Sequence, residues 1–596
     1  MSGLRKVDRL RKLLLLLPCH EQMEEVLDTA DLAAKMDDPE RLVWARSDAR
    51  LCGPDRGDAL AELIAETEAQ AIVVGGPGDR THGTFWRQEA RLAGIPPERV
   101  ELVPLVDQCI YVTEDKEAAR KRARIMLESA LARVDLGAEG AGKRVEAMQS
   151  VLVIGGGVAG MQAAWDLADF GRRVHLVERT DALGGRAHKL SRTYPTQDCK
   201  PDGCCPQSCR DCMFTPRIDL VESHPLIDIM LETEVTDVTG GIGGYSVQVT
   251  GPTSSRIIDV GAVVVATGNR VFDPTGMTEL LPGHPDVITF LELEELIDWQ
   301  RKEDHAWEPL RRPSDGKVPK SIHFLQCVGS RDVHNGTIDC SLVCCTYAVG
   351  QAHDLKEMLP DTTVTIHYMD MRGPYRGFER HYLDAQEAGV LFSRGRVVQI
   401  QPDGENLIMS YEDMDIGEPV TTEADLVVLA VGQLPSPGIE ELSRMLGVPL
   451  DEDGYIGEDN TTYSLWDRRG VYVVGCAAGP RGIRYSVRDG REAALSIDAV
   501  LRRNQIELAD NIAEVNDERC TGCGQCVESC EYGAVTLEER KDLRTGRTYR
   551  VAIVDPRRCW GCGNCHATCP STAIRLSGFS DDQLVREIEI ASGVDR

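Results

Sequence analysis

The sequence predicts an α/β protein with a doubly wound, Rossmann-type parallel sheet at its centre and a small α+β domain near its C-terminus. Three observations predict this class. Apolar runs at 13–17 and 71–74 end at turn residues, as buried parallel strands do. A strand-like run at 151–154 leads into a glycine-rich turn and then a helix-forming segment. Two closely spaced cysteine runs lie within 520–569.

Composition and charge limit the class of protein. A chain of 596 residues exceeds what one hydrophobic core supports, so several domains are expected. The net charge of −30 argues against nucleic acid or an anionic membrane surface as the main partner. The 21 cysteines have metal-site spacings, which indicates a reducing, cytoplasmic compartment. No run approaches the roughly 18 apolar residues of a spanning helix, so we expect no direct membrane insertion.

Residues 1–145 are predicted to form an N-terminal α/β domain. Between the apolar runs at 13–17 and 71–74, residues 58–69 have a helical pattern. Residues 114–134 are rich in Ala, Arg, Glu and Leu and predict a long helix that leads out of the domain.

A dinucleotide site is predicted where the strand 151–154 meets a G-x-G-x-x-G turn. Glycines allow the tight turn and the close approach of a pyrophosphate to the following helix N-terminus, whose dipole favours anions. An acid about twenty residues further on accepts ribose hydroxyls. The candidate binding residues are Gly155, Gly157, Val158, Ala159, Gly160, Glu178 and Arg179.

The segments that follow favour FAD over NAD. Residues 183–186 (LGGR) and 263–268 (VVVATG) resemble signatures of FAD-dependent disulfide-reductase-like proteins, and 427–432 resembles a second copy of the latter. Residues 471–476 resemble the late strand that ends near the flavin ribityl, with Cys476 where that family has Asp. The resemblance implies a thioredoxin-reductase-like FAD domain over 146–508. It adds the binding residues Gly185, Arg186, Ala266, Thr267, Gly268, Gly432 and Gly475.

Residues 509–580 are predicted to form a ferredoxin domain with two [4Fe–4S] clusters, followed by a tail at 581–596. Each cysteine run has the spacing C-x2-C-x2-C-x3-C, in which the fourth cysteine ligates the other cluster. Zinc is the alternative for a C-x2-C pair, and two complete runs make it the weaker interpretation. The predicted ligand sets are Cys520, Cys523, Cys526 and Cys569 for one cluster, and Cys559, Cys562, Cys565 and Cys530 for the other.

The second Rossmann unit, which normally binds NAD(P)H, has no glycine fingerprint in this chain. A strand is predicted near 321–328, but Cys327 stands where phosphate-binding glycines would begin. Cys340, Cys344 and Cys345 follow, which suggests that a cluster has displaced the nicotinamide. Buried free cysteines are the alternative interpretation.

These residues carry a family resemblance over nearly the whole chain. Segments 326–332 (QCVGSRD), 340–348 (CSLVCCTYA), 193–199 (TYPTQDC) and 479–481 (GPR) closely resemble the A subunits of heterodisulfide reductases. The resemblance implies that Cys327, Cys340, Cys344 and Cys345 ligate an unusual [4Fe–4S] cluster beside the flavin.

The remaining cysteines predict further metal sites. By the same resemblance, Cys19, Cys52 and Cys109 correspond to N-terminal cluster ligands, although glycines at 75–76 replace the expected fourth cysteine. Five further cysteines lie close together in the segment 199–212. They could ligate an additional cluster, supply the fourth ligand of the N-terminal cluster, or form a zinc site or a disulfide, and we favour iron–sulfur ligation. These cysteines are Cys199, Cys204, Cys205, Cys209 and Cys212. The chain would then hold at least three clusters, and four or five with these sites.

The predicted function is electron transfer between FAD and single-electron clusters, with no separate catalytic side chain. The resemblance implies a homodimeric core within a complex, an electron-donor subunit of hydrogenase, formate or NADH type, and ferredoxin-like carriers. Some relatives bifurcate electrons, but their lysine five residues after the Cys-Cys pair is Gly350 here. The candidate replacements are Arg331, His353 and Lys356. Alternatives are an NAD(P)H-dependent flavin reductase of the glutamate synthase small-subunit type, or a scaffold with inert clusters.

Overall fold

The chain forms two compact units. The computed structural model describes residues 10–18, 21–76, 79–96, 99–136, 144–190, 218–297, 309–457, 470–508, 511–541, 546–576 and 581–593. One unit consists of 1–145 together with 507–596, and the other of 146–506. Across those described ranges, no helix has both the length and the apolar character needed to cross a bilayer.

The N-terminal part of the first unit is a parallel sheet with helices packed against it. Its elements are β1 (Lys12–Leu16), α1 (Glu21–Leu27), α2 (Thr29–Met36), β2 (Val43–Ser47), α3 (Arg56–Thr67), β3 (Ala71–Gly76), α4 (Asp79–Leu92), β4 (Val100–Pro104) and α5 (Lys116–Leu136). The strands are ordered β2-β1-β3-β4 and all pair in parallel. Successive leucines of β1 pack into cores on opposite faces of the sheet, which explains their unbroken apolar run.

The first half of the second unit contains the predicted βαβ motif. Its elements, with the strand that precedes them, are β5 (Arg144–Glu146), β6 (Ser150–Ile154), α6 (Val158–Asp169), β7 (Arg173–Val177), α7 (Ile218–Ser223), β8 (Ile227–Met230), β9 (Glu234–Gly241), β10 (Gly244–Thr250), β11 (Ser255–Val260) and β12 (Ala262–Val265).

The second half repeats this plan and ends in a long helix. Its elements are β13 (Asn269–Val271), β14 (Val287–Thr289), α8 (Phe290–Leu296), β15 (Ser321–Val328), α9 (Cys344–Met358), β16 (Thr363–Tyr368), α10 (Phe378–Glu387), β17 (Leu391–Arg394), β18 (Val397–Asp403), β19 (Asn406–Asp413), β20 (Glu418–Ala424), β21 (Leu426–Val431), β22 (Gln433–Pro435), α11 (Ile439–Leu446), β23 (Val471–Val473), α12 (Ile483–Leu501) and β24 (Gln505–Glu507).

Two parallel five-stranded sheets organise this unit. Their strand orders are β23-β12-β6-β7-β8 and β14-β21-β15-β16-β17. Each half also carries an antiparallel three-stranded sheet, formed by β9–β11 in the first half and β18–β20 in the second. The motif β15-α9-β16 therefore occupies the place in its sheet that β6-α6-β7 occupies in the other. The predicted doubly wound, Rossmann-type fold is confirmed, with two Rossmann-type halves.

The C-terminal part of the first unit is the small α+β fold that the cysteine runs predict. Its elements are β25 (Ala513–Val515), α13 (Gln525–Glu528), β26 (Val535–Lys541), β27 (Thr548–Val554), α14 (Asn564–Ala567), β28 (Ile574–Leu576) and α15 (Asp581–Ser592). Strands β25 and β28 pair antiparallel, as do β26 and β27. The polar segment after 580, which could be a helix or a tail by sequence, is the helix α15, and it packs on α5.

A buried pair of histidines joins two central strands of the second parallel sheet. The Nδ1 atom of His323 on β15 lies 2.9 Å from Nε2 of His367 on β16. Burial lowers the pKa of His323 to about 4 and that of His367 to about 3. Asp425 and Asp413 act in the opposite direction but do not outweigh the loss of hydration.

We expect the free energy of unfolding to decrease between about pH 6.5 and about pH 4. The unfolded imidazoles take up protons near their usual pKa of about 6.5, whereas the folded pair does so only near about 4 and 3. Since the unfolded chain binds more protons in this window, the stabilisation is complete above it and is lost as the pH falls. The expected loss between about pH 7 and about pH 5 is on the order of 4 kcal/mol, about 2 kcal/mol for each histidine, measured from urea midpoints. A His323→Leu, His367→Leu double variant should lack this component, and an unchanged pH slope in that variant would contradict the assignment.

Candidate functional site

The glycine turn after β6 is shaped to receive a phosphate-bearing ligand. Gly155 has φ +106°, and a Cβ there would lie 2.3 Å from the carbonyl oxygen of Ala266. A Cβ on Gly160 would lie 1.9 Å from the oxygen of Gly155, so glycine permits the helix to begin directly at the turn. A Cβ on Gly157 would meet no protein atom within 4 Å. Gly157 therefore leaves an open cradle at the N-terminus of α6.

Glu178, at the end of β7, holds this turn and faces the same space. Its Oε2 accepts the backbone N–H of Gly156 at 2.7 Å, and its Oε1 accepts the N–H of Thr180 at 2.9 Å. The carboxylate is buried and lines the adjoining cavity. It is the acid that the sequence pattern places near a ribose.

A cavity of about 1090 Å³ runs from this turn to helix α9. Its volume suits a dinucleotide, and its wall includes most of the predicted binding residues. Those residues are Gly155, Gly157, Val158, Ala159, Glu178, Arg179, Gly185, Arg186, Ala266, Thr267 and Gly268. Cys476 also lines the cavity, and its thiol donates to the oxygen of Arg481 at 3.3 Å.

Three predicted glycines lie outside the cavity wall and serve packing. Gly160 allows α6 to meet the turn, as described above. A Cβ on Gly432 would lie 3.0 Å from the oxygen of Gly329, at the turn that follows β15. Gly475 packs against Ala159 and donates its N–H to Asp489 at 3.2 Å. A carboxylate on α12 is therefore near the position where relatives have Asp and this chain has Cys476.

Unpartnered polar atoms around the cavity support a bound cofactor. Buried oxygens of Thr267, Thr346, Gln351 and Ser436 have no hydrogen-bond partner within the described part of the chain, and all four residues line the cavity. The amide nitrogen of Gln351 donates to Phe290 O at 3.1 Å and to Glu294 at 2.6 Å, which leaves its oxygen as an acceptor. FAD fits such a lining, because its ring and ribityl chain carry hydrogen-bond donors and acceptors.

Sequence reasoning missed the contribution of α9 to this wall. Thr346, Tyr347, Gln351 and Asp354 share one face of the helix and line the cavity. Their 3.6-residue spacing could have indicated a shared face, but not what the face meets.

The turn after β15 brings the four predicted cysteines of the second Rossmann unit together. Cys327, the penultimate residue of β15, has a left-handed conformation with φ +61°, and α9 begins at Cys344. Burial, together with the neighbouring Cys345 and Cys340, raises the pKa of the Cys327 thiol to about 11. Burial also raises the pKa of Cys344 and Cys345, and each of these thiols interacts with Cys340.

This arrangement fits a metal cluster. A metal ion would hold such buried sulfurs as thiolates, and the N-terminus of α9 favours negative charge. Backbone N–H groups already point at two of the sulfurs, from Leu342 to Cys340 and from Arg372 to Cys345, each at 3.4 Å. N–H donation to sulfur is one of the interactions that set cluster potentials.

Tyr347 lies between these cysteines and the cavity. Its ring lines the cavity and stacks on Phe290 with centroids 4.0 Å apart. Its hydroxyl donates to the oxygen of Val431 at 3.1 Å, and the thiol of Cys344 lies 3.7 Å from the same oxygen. The cluster turn and the cavity therefore share this side chain.

The proposed replacements for the missing lysine do not line the cavity. Arg331 pairs with Asp370 at 2.5 Å. The Lys356 ammonium donates to the oxygens of Pro360 and Thr362, at the far end of α9. His353 is also absent from the cavity wall, and Gly350 is buried within α9.

The ferredoxin fold gathers its eight cysteines into two groups, as the sequence predicts. Each group surrounds a small cavity. One group is Cys520, Cys523, Cys526 and Cys569, and the other is Cys530, Cys559, Cys562 and Cys565. Each cavity thus takes three cysteines from one run and one from the other.

Backbone N–H groups reach the sulfurs of this domain in a repeated pattern. Ala552 donates to Cys520 and Ala513 to Cys559, each at 3.4 Å. The fourth cysteine of each run, Cys530 or Cys569, receives the N–H four residues further on, at 3.3 Å. Two groups of four cysteines, with backbone N–H groups donating to their sulfurs, fit two [4Fe–4S] clusters.

Of the N-terminal cysteines, the structure describes Cys52 and Cys109, and these two are not gathered into a group of that kind. Cys109 is fully buried in the core beneath α5, and its thiol donates to Ala119 O at 3.1 Å. Cys52 is exposed and disulfide-bonded. A Cβ on Gly75 would lie 2.8 Å from a Leu16 methyl, so leucines fill the space of the expected fourth ligand. Cys19 and the group Cys199, Cys204, Cys205, Cys209 and Cys212 lie outside the described residues.

Comparisons with known proteins agree with both cofactor sites. The family model for the 4Fe-4S dicluster domain matches residues 519–573. The model for pyridine nucleotide-disulphide oxidoreductases matches residues 131–198 and 149–305. The crystal structure of T. acidophilum thioredoxin reductase aligns with a TM-score of 0.39 and 19% identity, over 60% of this chain and 99% of that one.

Curated relatives extend the match over most of the chain. One of the iron–sulfur A subunits of CoB–CoM heterodisulfide reductase in Methanopyrus kandleri is 31% identical, over 88% of this chain and 90% of that protein. The corresponding A subunit of Methanocaldococcus jannaschii gives 31% identity over the same shares. The A subunit of the H2:CoB-CoM heterodisulfide,ferredoxin reductase of Methanothermobacter thermautotrophicus is 31% identical over 80% of this chain and 83% of that protein.

Fold and site together define an oxidoreductase whose cofactors are FAD and [4Fe–4S] clusters. Within that class, the chain belongs to the family of heterodisulfide reductase A subunits. It is a flavin- and iron–sulfur-dependent electron-transfer subunit.

We expect Gly157→Val to weaken FAD binding without disturbing the fold. Gly157 has φ −76°, which any residue adopts, and its missing Cβ points into open space. A valine would therefore meet only the bound cofactor. The FAD dissociation constant should rise at least about tenfold, or about 1.4 kcal/mol, by titration of the deflavinated protein. The control is Gly276→Val, at an exposed position with equally open space. Equal FAD affinity in both variants would rule out this cradle.

We expect Cys526→Ala and Cys569→Ala to remove the same cluster. Both cysteines line one cavity although they come from different runs. Each variant should lose about four iron atoms per chain, and the double variant should lose no more than either single variant. Iron and acid-labile sulfide analysis measures this, with Cys109→Ala as a control that keeps its iron. A loss of about eight iron atoms in the double variant would contradict the crossed assignment.

Proposed function

We propose that this chain splits and merges electron pairs at FAD and passes single electrons through [4Fe–4S] clusters to partner subunits of a heterodisulfide-reductase-like complex. The observation that carries the proposal is the position of Cys327, Cys340, Cys344 and Cys345. They occupy the turn where a second Rossmann unit would bind pyridine nucleotide, beside the flavin cavity. When bound, FAD supplies two-electron chemistry and each [4Fe–4S] cluster supplies one-electron chemistry.

Each cofactor has its own set of holding residues. The glycine turn, Glu178 and Arg186 hold FAD, and Tyr347 separates it from the cluster turn. Twelve cysteines ligate three clusters, with four at the α9 turn and eight in the ferredoxin domain. We infer no cluster from Cys52 and Cys109, because Cys52 is disulfide-bonded and the buried thiol of Cys109 donates to the oxygen of Ala119.

Partners follow from the same proposal. We infer a homodimeric core in a cytoplasmic complex with an electron-donor subunit of hydrogenase, formate or NADH type and with ferredoxin-like carriers. The names of relatives support such partners, since they include H2, F420H2 and ferredoxin. The division of the chain into domains at 1–145, 146–508 and 509–580 with a tail at 581–596 belongs to this proposal.

Flavin-based electron bifurcation is a second candidate activity. One relative carries a name that joins H2, a heterodisulfide and ferredoxin, which favours it. The residues of α9 that line the cavity carry no cation, so a cation beside the flavin would come from another element.

A stand-alone NAD(P)H-dependent flavin reductase is the competing function, and direct reduction separates the two. The N-terminus of α9 carries Cys344 and Cys345, which leaves no glycine turn for a second pyrophosphate. In anaerobic stopped-flow experiments we expect excess NADH or NADPH to leave the flavin of the isolated chain oxidised. Dithionite should reduce the flavin in the same preparation. Rapid bleaching by either nucleotide would favour the reductase instead.

A further inference from the structure

Arg186 is an arginine held in place on the wall of the flavin cavity. It follows Gly185 in the turn that closes over the glycine loop, and it is partly buried. One guanidinium nitrogen donates to Asn269 Oδ1 at 2.6 Å, and the other donates to the backbone oxygen of Asn269 at 2.6 Å. Two short hydrogen bonds to one residue fix the plane of the guanidinium.

The charge of Arg186 is not neutralised by a carboxylate within the described ranges. Both of its hydrogen-bond acceptors are neutral. Burial lowers the pKa of Arg186, and the groups that offset this effect are the thiol of Cys476 and the phenols of Tyr347 and Tyr455. A partly buried cation with neutral neighbours stabilises an anion placed beside it.

Of the other arginines that line the cavity, Arg481 is the one that is not exposed, and it is already paired. Arg481 donates to Asp489 at 2.5 Å, and Asp489 is buried. Its charge is therefore largely balanced by the protein itself. Arg186 and Arg481 line the same cavity, but of these two only Arg186 has no carboxylate partner within the described residues, so its charge is available to a ligand.

A hydrogen-bond chain connects Arg186 to the cluster turn. Asn269 donates from Nδ2 to the side-chain oxygen of Gln433, and the backbone N–H of Gln433 donates to Ser341 Oγ at 2.8 Å. Ser341 is buried directly after Cys340. Arg186 also interacts with Tyr347, whose ring lies beside Cys344. These links join the guanidinium to the cluster turn, while the backbone of the neighbouring Gly185 packs beside Gly157 of the glycine turn.

We propose that Arg186 stabilises the negative charge that FAD gains on reduction, and that Asn269 is its positioning residue. The inference rests on the proposed function, because it requires FAD in this cavity. When bound, FAD would gain one negative charge on its ring system on taking up two electrons and one proton from the donor. Arg186 gives up no proton in this step and acts by its fixed charge. The same role would serve a chain whose α9 offers Gly350 in place of a cation.

The test is the two-electron potential of the flavin in the full chain with FAD in excess. Dithionite is the reductant and calibrated redox dyes report the potential. Arg186→Gln should shift the equilibrium at least about tenfold toward oxidised FAD, which is about 30 mV for a two-electron couple. Arg186→Lys should shift it less, since the charge remains. Asn269→Leu should give a smaller shift in the same direction, because the backbone oxygen still holds one nitrogen.

Arg173→Gln is the control, since it removes a positive charge from an exposed side chain of β7 that does not line the cavity. Its potential should equal that of the wild type. A potential unchanged in Arg186→Gln overturns the inference, including the case in which FAD binds more weakly, which would place Arg186 on the pyrophosphate. A shift equal to that of Arg173→Gln overturns it as well. Failure of the proposed function has a different signature: flavin reduction by NADH or NADPH, with the Arg186 shift intact.

Discussion

The site depends on one difference between the two Rossmann halves: the turn between β15 and α9 carries cysteines where the turn between β6 and α6 carries glycines. A Rossmann turn places a helix N-terminus at the carboxyl end of a strand, and this location attracts negative charge of any kind. In the Rossmann half that contains β6, the turn is open at Gly157 and leads into the flavin cavity. In the half that contains β15, Cys327 adopts a left-handed conformation that usually belongs to glycine. The same local geometry thus presents sulfur where the other half presents backbone.

Because the sheet is duplicated, the cysteine turn and the glycine turn occupy equivalent positions in the two halves. The motif β15-α9-β16 repeats the place of β6-α6-β7 in its own sheet. The cavity wall is built from both halves, with Gly155 at one end and Tyr347 at the other. The cavity and the cysteine turn therefore share the side chain of Tyr347.

Much of the fold was predictable, because it rests on local patterns. The unbroken leucines of β1, the glycines after β6 and the cysteine runs each require one kind of backbone. Even the crossed grouping in the ferredoxin domain follows from spacing. The α9 wall, the Asn269–Gln433–Ser341 links and the Asp489–Arg481 pair did not follow from such patterns, because tertiary packing decides which side chains meet there. A single sequence does not reveal pairings of that kind.

Helices α5 and α15 are far apart in sequence but share one packed surface, and this has a consequence for biosynthesis. Helix α15 lies on α5, with Arg133 donating to Glu587 at 2.9 Å and pairing with Glu101 at 2.6 Å. Residues 581–592 are synthesised after everything between the two helices, so α5 lacks this covering while the intervening residues are translated. The N-terminal sheet can assemble early, but α15 covers α5 only after the flavin and ferredoxin domains have been made.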